Sequence, residues 1–143
     1  MDEWWLEKRQ LLASLADKVR ELAGSSVEID SGEDDFWVYP VKSGALGMWI
    51  ALDQWLIVEA GQVGGHWELD YDNADDMHLA EEIIGAVILG RVNERFGIGR
   101  SLVTVERADG STTFELGYRG LWAMFPQPWW TRRGRQMHYL PYR

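Results

Sequence analysis

The sequence predicts an α+β fold: an antiparallel sheet, built from a meander and a hairpin, with two helices packed on one face. Three observations predict it. Residues 3–23 carry an apolar stripe at helical spacing, short β-rich runs crowd together between 36 and 71, and a second helical stripe leads into a hairpin turn. The 143 residues suit one domain, 1–143, with its own core. No repeat, low-complexity tract or linker divides the chain.

The first helix is read from Trp4, Trp5, Lys8, Leu11, Leu12, Leu15, Val19 and Leu22, which recur three and four apart, and Gly24 supplies its stop. Its polar face carries Glu7, Arg9, Asp17, Lys18 and Glu21. A short extended edge at 27–29 leads into an acidic loop, Asp30-Ser31-Gly32-Glu33-Asp34-Asp35.

Four strands are expected next. Residues 36–41 are aromatic and β-branched, with Pro40 placing their end at an edge. Residues 45–52 are apolar on both faces, as a central strand requires, and 55–60 pair back through a turn at Asp53-Gln54. Residues 65–71 alternate, with Trp67, Leu69 and Tyr71 on one face and His66, Glu68 and Asp70 on the other. Connections this short make an antiparallel meander.

The second helix is expected over 74–96. Asp72 or Asn73 caps it, Asp75 and Asp76 suit its positive end, and Arg91 and Arg95 its negative end. Met77, Ala80, Ile83, Ile84, Val87, Ile88 and Val92 form its inner stripe, and Gly85 and Gly90 imply close approach to the sheet. Residues 101–107 and 112–118 then form a hairpin around Ala108-Asp109-Gly110-Ser111. The tail from Arg119 reads as irregular, with a last strand at 136–140.

The net charge of −9 argues against nucleic-acid binding by the domain as a whole, because phosphate neutralisation supplies most of that affinity. Its distribution is uneven. Nineteen acids face five bases up to Gly90, whereas nine arginines face four acids from Arg91 onward. With no cysteine there is neither a disulfide scaffold nor a thiolate metal site. The acidic N-terminus is unlike a secretory signal, and the apolar run 83–89 falls far short of the roughly 20 residues of a membrane helix. The expectation is a soluble cytoplasmic protein with no membrane association.

Each candidate for catalysis or metal binding lacks a named part. Asp70 to Asp76 with Glu81 resembles a calcium loop, but Ala74 stands at an oxygen-ligand position and Asp75 where the turn needs glycine. His66, Glu68 and Asp70 share a strand face and His78 with Glu82 a helix face, which would suit an acid–base pair or ligand set. The helix lacks the second histidine of a zinc protease. No nucleophile elbow is present, and Gly61-Gln62-Val63-Gly64-Gly65 joins two strands rather than cradling a phosphate. No catalytic residue, metal or cofactor is therefore assigned.

Nine tryptophans are several times the usual share. Those on strands, Trp37, Trp49, Trp55 and Trp67, are expected to be core, and of the adjacent Trp4 and Trp5 one is left exposed or covering the sheet edge. The tail places Trp122, Phe125, Trp129 and Trp130 beside Arg119, Arg132, Arg133 and Arg135, with no acid from Arg119 to the end. Such a mixture fits three roles: a wrap back onto the acidic half, a protein interface, or stacking on single-stranded nucleic acid.

Gly64-Gly65-His66-Trp67-Glu68-Leu69-Asp70, followed by a helix ending Gly90-Arg91-Val92, resembles short actinobacterial-type proteins. The resemblance implies a bacterial cytoplasmic protein and brings no activity or cofactor with it. The expected function is a non-enzymatic protein-binding module, an acidic inhibitor or immunity-type protein for a basic partner. Asp30, Glu33, Asp34, Asp35, Asp70, Asp72, Asp75 and Asp76 would form its docking surface. The alternatives are a small-molecule or metal-dependent enzyme using His66, Glu68 and Asp70, and a homo-oligomer with the basic tail of one copy on the acidic half of another.

Overall fold

The computed structural model describes residues 2–143, the side chains of Trp122 and Ala123 excepted. Helix α1 (Glu3–Ala23) begins where the Asp2 carboxylate accepts from the Trp4 amide and ends at Gly24, whose backbone turns to φ 56°. Leu12, Leu15, Ala16, Val19 and Ala23 are its buried stripe. A single 3-10 turn then leads into five strands: β1 (Val27–Ser31), β2 (Asp35–Pro40), β3 (Met48–Leu52), β4 (Leu56–Glu59) and β5 (His66–Leu69). They pair antiparallel in chain order, as the short connections require.

Strand alternation sends Phe36, Val38, Met48, Ile50, Leu56, Val58, Trp67 and Leu69 inward, all buried. Helices α1 and α2 (Ala74–Leu89) pack together beneath this face, touching β3 and β5. Asn73 caps α2 by accepting from the Asp75 and Asp76 amides.

The second helix is shorter than the 74–96 that the apolar stripe suggests. Gly90 adopts φ 72° and its amide closes on Ala86 and Val87, so α2 stops there. The chain continues as β6 (Val92–Gly97), in which Val92 and Glu94 are buried by period-two alternation rather than by a helical stripe. Gly85 also departs from expectation: a Cβ there would meet nothing within 4 Å, so no close approach to the sheet explains it.

The hairpin forms as read, from β7 (Arg100–Glu106) and β8 (Thr112–Tyr118). It does not extend the meander. With β6 and β9 (Arg135–His138) it makes a second antiparallel sheet, ordered β8-β7-β6-β9, and α2 packs on β7.

Two features in particular help to join the sheets. The final residues cross from one to the other: the Tyr139 amide bonds to Val92, the Leu140 amide to Gly44, and the Tyr142 amide to Ile88. Both tyrosine rings are buried, and the Tyr142 hydroxyl donates to the Leu46 carbonyl at 2.6 Å. The second joint is Glu94, wholly buried, whose carboxylate accepts from the Gln62 and Val63 amides and from the Ser101 and Tyr139 hydroxyls. Ser101 Oγ in turn accepts from the Gly64 amide at 2.6 Å. The glycine turn between β4 and β5 is therefore a docking loop for the second sheet. A Cβ on Gly64 would lie 2.8 Å from the Ser101 carbonyl, which explains the small residue there.

Candidate protein-docking face

The same alternation that buries Phe36, Val38, Met48 and Ile50 turns their neighbours outward, and on β2 and β3 those neighbours are aromatic. The register aligns Asp30, Trp37, Trp49, Glu59 and His66 as one row crossing all five strands. Glu28 and Tyr39 form a partial row on one side, and Asp35, Ala51, Ile57 and Glu68 a row on the other. Trp37 is 43% exposed and Tyr39 47%. Trp37 stacks on Trp49 with ring centroids 5.6 Å apart and on Tyr39 at 6.3 Å, the latter planes only 7° from parallel. Trp49 Nε1 donates to the Asp35 carboxylate at 2.9 Å, which fixes that ring.

Three of the four strand tryptophans thus depart from the expected burial. Trp67 alone is core, at 3% exposure, while Trp37 and Trp55 are exposed and Trp49 is half-buried. The residue on either side decides the face: Phe36 and Val38 hold the inward positions, so Trp37 has the outward one.

Carboxylates frame the aromatics. Residues 27–69 hold eight acids against a single lysine, Lys42, and that lysine lies in the β2–β3 connection. His66 stands between Glu59 (3.2 Å) and Glu68 (3.4 Å). Glu115 of β8 completes the group: burial raises its carboxyl above the ordinary glutamate range, His66 opposes the rise, and Glu68 adds to it.

The polar set expected from the sequence is only partly assembled. His66 and Glu68 meet, but Asp70 lies past the end of β5 and accepts from the Asp72 amide. No group of three or more histidine and acidic side chains among the described residues is placed to hold a metal ion. His78 pairs with Glu82, which is also held by Arg107, on a different part of the surface.

The acidic docking residues divide in two. Asp34 and Asp35 open β2 beside the end of β3, where the Leu52 amide bonds to the Asp34 carbonyl, and Asp34 is paired with Arg9. Asp70, Asp72, Asp75 and Asp76 surround the start of α2, and the Asp76 carboxylate accepts from the Asp70 amide. The two groups share one end of the sheet, because Tyr71 bonds to the backbone of Asp53 in the β3–β4 turn.

The tail folds back on β6 without using its arginines for ion pairs. Among the described residues, Arg119, Arg132, Arg133 and Arg135 form no salt bridge. The expected pairing with the acidic half is therefore not how the tail is held. Instead Gln127 clamps the Ile98 amide and carbonyl, both at 2.7 Å, and Arg95 donates to the Arg132 carbonyl. Arg135 lies over the Phe96 ring. Helix α3 (Trp130–Arg133) leaves Trp130 half-buried and Trp129, Arg132 and Arg133 exposed. The Trp122 side chain, also expected in this set, lies outside the described residues.

Sequence reading did not single out the aromatic row or Glu94. The parity of Phe36 and Val38 against Trp37 and Tyr39 is a local signal for the first. Nothing local marks the second. No helix among the described residues is long and apolar enough to cross a membrane. Comparison with family models, curated proteins and solved structures gives no match.

Proposed function

We propose that this chain is a non-enzymatic binding module that captures a cationic protein on the outer face of its five-stranded sheet. One observation carries the reading: the row Asp30–Trp37–Trp49–Glu59–His66, in which stacked, solvent-facing aromatics lie between carboxylates. A guanidinium or ammonium group gains from the ring faces and the acids together, and an aromatic centre with a charged rim is the pattern of a binding hot spot. The acids at the adjoining end of the sheet, Asp34, Asp35, Asp72 and Asp75 among them, would extend the negative field and speed the encounter. Blocking of a basic enzyme, as an acidic inhibitor or immunity-type protein does, is the role that this face suits best.

The test is titration with an arginine-rich peptide and with a basic nuclease-type protein, followed by tryptophan fluorescence and calorimetry. Binding should weaken about tenfold or more for Trp37→Ala with Tyr39→Ala, as for a hot-spot loss of about 1.4 kcal/mol or more. Asp30→Asn with Glu59→Gln should lower the salt dependence. Equal affinity of the wild type and the Trp37→Ala, Tyr39→Ala variant for the cationic ligands would refute the assignment of this face.

A further inference from the structure

The second sheet has an outer face of the opposite character. Its rows are Phe114–Thr104–Asn93–His138 and Leu116–Leu102–Arg95–Gln136, with Tyr118 beside Arg100. No carboxylate stands in these rows; Glu106 comes one row further along. Phe114 is 64% exposed and Tyr118 57%, and the tail that follows also exposes Leu121, Met124 and Trp129. Arg132 and Arg133, both exposed, follow in the tail, which Arg95 of this face holds at the Arg132 carbonyl. An antiparallel sheet that faces water ordinarily presents polar residues, as the β6–β9 half of this face does, so the apolar β8 side with its basic neighbours stands out as a contact surface.

We infer that its occupant is a second copy of this chain, with the basic-apolar face of one molecule on the acidic-aromatic face of the next. The inference rests on the reading of the five-stranded sheet as a surface for cationic partners. Charge complementarity between the two faces supports it: one row of the first carries Asp30 and Glu59, with Lys42 the single base over 27–69, whereas the second carries Arg95 in its rows, exposed Arg132 and Arg133 beside it, and no carboxylate in those rows. Both faces also offer apolar side chains, Trp37, Tyr39 and Trp49 on the first and Phe114, Leu116 and Tyr118 along the edge strand β8 of the second, which supply the contact that charge alone does not. Because the two patches differ, the contact is heterologous: it closes into a ring, or into a dimer using two such contacts, when the geometry allows, and otherwise extends.

The experiment is sedimentation of the full chain over a range of concentrations at low and high salt, with two sets of variants. One set, Trp37→Ala with Tyr39→Ala, disables the acidic-aromatic face; the other, Arg132→Glu with Arg133→Glu, disables the basic one. The wild type should associate reversibly, more weakly at high salt, and each set should weaken association about tenfold or more. An equimolar mixture of the two sets retains one intact face of each kind, so it should restore a one-to-one complex. Circular dichroism and urea midpoints at wild-type values keep the comparison free of misfolding, and Phe114→Ser offers a charge-neutral check of the apolar part.

A wild type that is monomeric at every concentration and both salts overturns the inference, as does association that neither set weakens. Failure of the docking reading is distinguishable. If the chain is monomeric yet binds an arginine-rich peptide through Trp37, only the second copy is wrong. If it binds neither itself nor the peptide, both are wrong. A monomer whose basic face instead retains a single-stranded oligonucleotide, with loss in the Arg132→Glu, Arg133→Glu variant, also counts against self-association.

Discussion

The hydroxyl of Tyr139 donates to Oε1 of Glu94 at 2.6 Å, between residues 45 apart in sequence. That carboxylate also accepts two amides from the glycine turn and the Ser101 hydroxyl, so one buried acid gathers β6, β7, the β4–β5 turn and the C-terminal segment. The joint between the sheets is thus polar and fully paired, the condition under which a buried polar network specifies a geometry.

Glu94→Ala should be among the most damaging single substitutions, because it strands four donors, two of them, the Ser101 and Tyr139 hydroxyls, buried. A loss of about 3 kcal/mol or more is expected. Glu94→Gln keeps one acceptor but turns an NH2 group toward donors, and should cost about 1–3 kcal/mol. Urea unfolding at neutral pH would measure both.

Alkali should weaken the fold through two buried phenols. Burial raises the Tyr139 hydroxyl above its ordinary value of 10.0, with Glu94 adding to the rise, and burial alone raises Tyr142. Each is harder to ionise folded than unfolded. The stability it contributes is therefore complete below pH 10 and declines above it, as the unfolded chain gives up its protons first. Each phenol adds a slope of up to about 1.4 kcal/mol per pH unit. Tyr142→Phe should make the decline shallower by that amount in unfolding curves taken from about pH 9 to about pH 11.

Trp37 and Trp67 sit on opposite faces of one sheet and should part company on mutation. Trp67→Ala empties a core position and should cost about 3–5 kcal/mol. Trp37→Ala removes an exposed ring and should cost about 1 kcal/mol or less while abolishing most of the response to cationic ligands. Thermal melts and peptide titrations on the same two proteins separate the effects.

The helix glycines are predicted to differ in sign. Gly85 has open space around its Cβ position, so Gly85→Ala should stabilise by roughly 0.5–1 kcal/mol through helix propensity. Gly90 is left-handed, and its Cβ would fall 2.5 Å from the Pro141 nitrogen, so Gly90→Ala should destabilise by about 1–2 kcal/mol. A parallel increase in both melting temperatures would disprove the account of the α2 terminus.

Much of the local structure was legible because local physics writes it. The stripe from Leu12 to Val19 defines α1, Asn73 caps α2, and Ala108-Asp109-Gly110-Ser111 makes the hairpin, each within a few residues of chain. The end of α2 was harder. Val92 continues a helical stripe and also begins an alternation, and only the left-handed turn at Gly90 separates the two. The candidate face was half visible: its acids are plain in the composition, whereas its tryptophans, expected in the core because they lie on strands, are turned outward by the parity of their neighbours.

The sequence by itself determined the α+β class, the antiparallel pairing, the caps and turns, and the split between an acidic first part and a basic second part. All of these follow from spacing and charge along the chain. Only the tertiary structure decided that the hairpin joins a second sheet, and that Asp30, Trp37, Trp49, Glu59 and His66 fall into one row. It alone brought Glu94 to Tyr139 and the glycine turn. The reason is physical: register and buried polar pairing depend on groups far apart in sequence. Their partners exist only once the chain has closed around them.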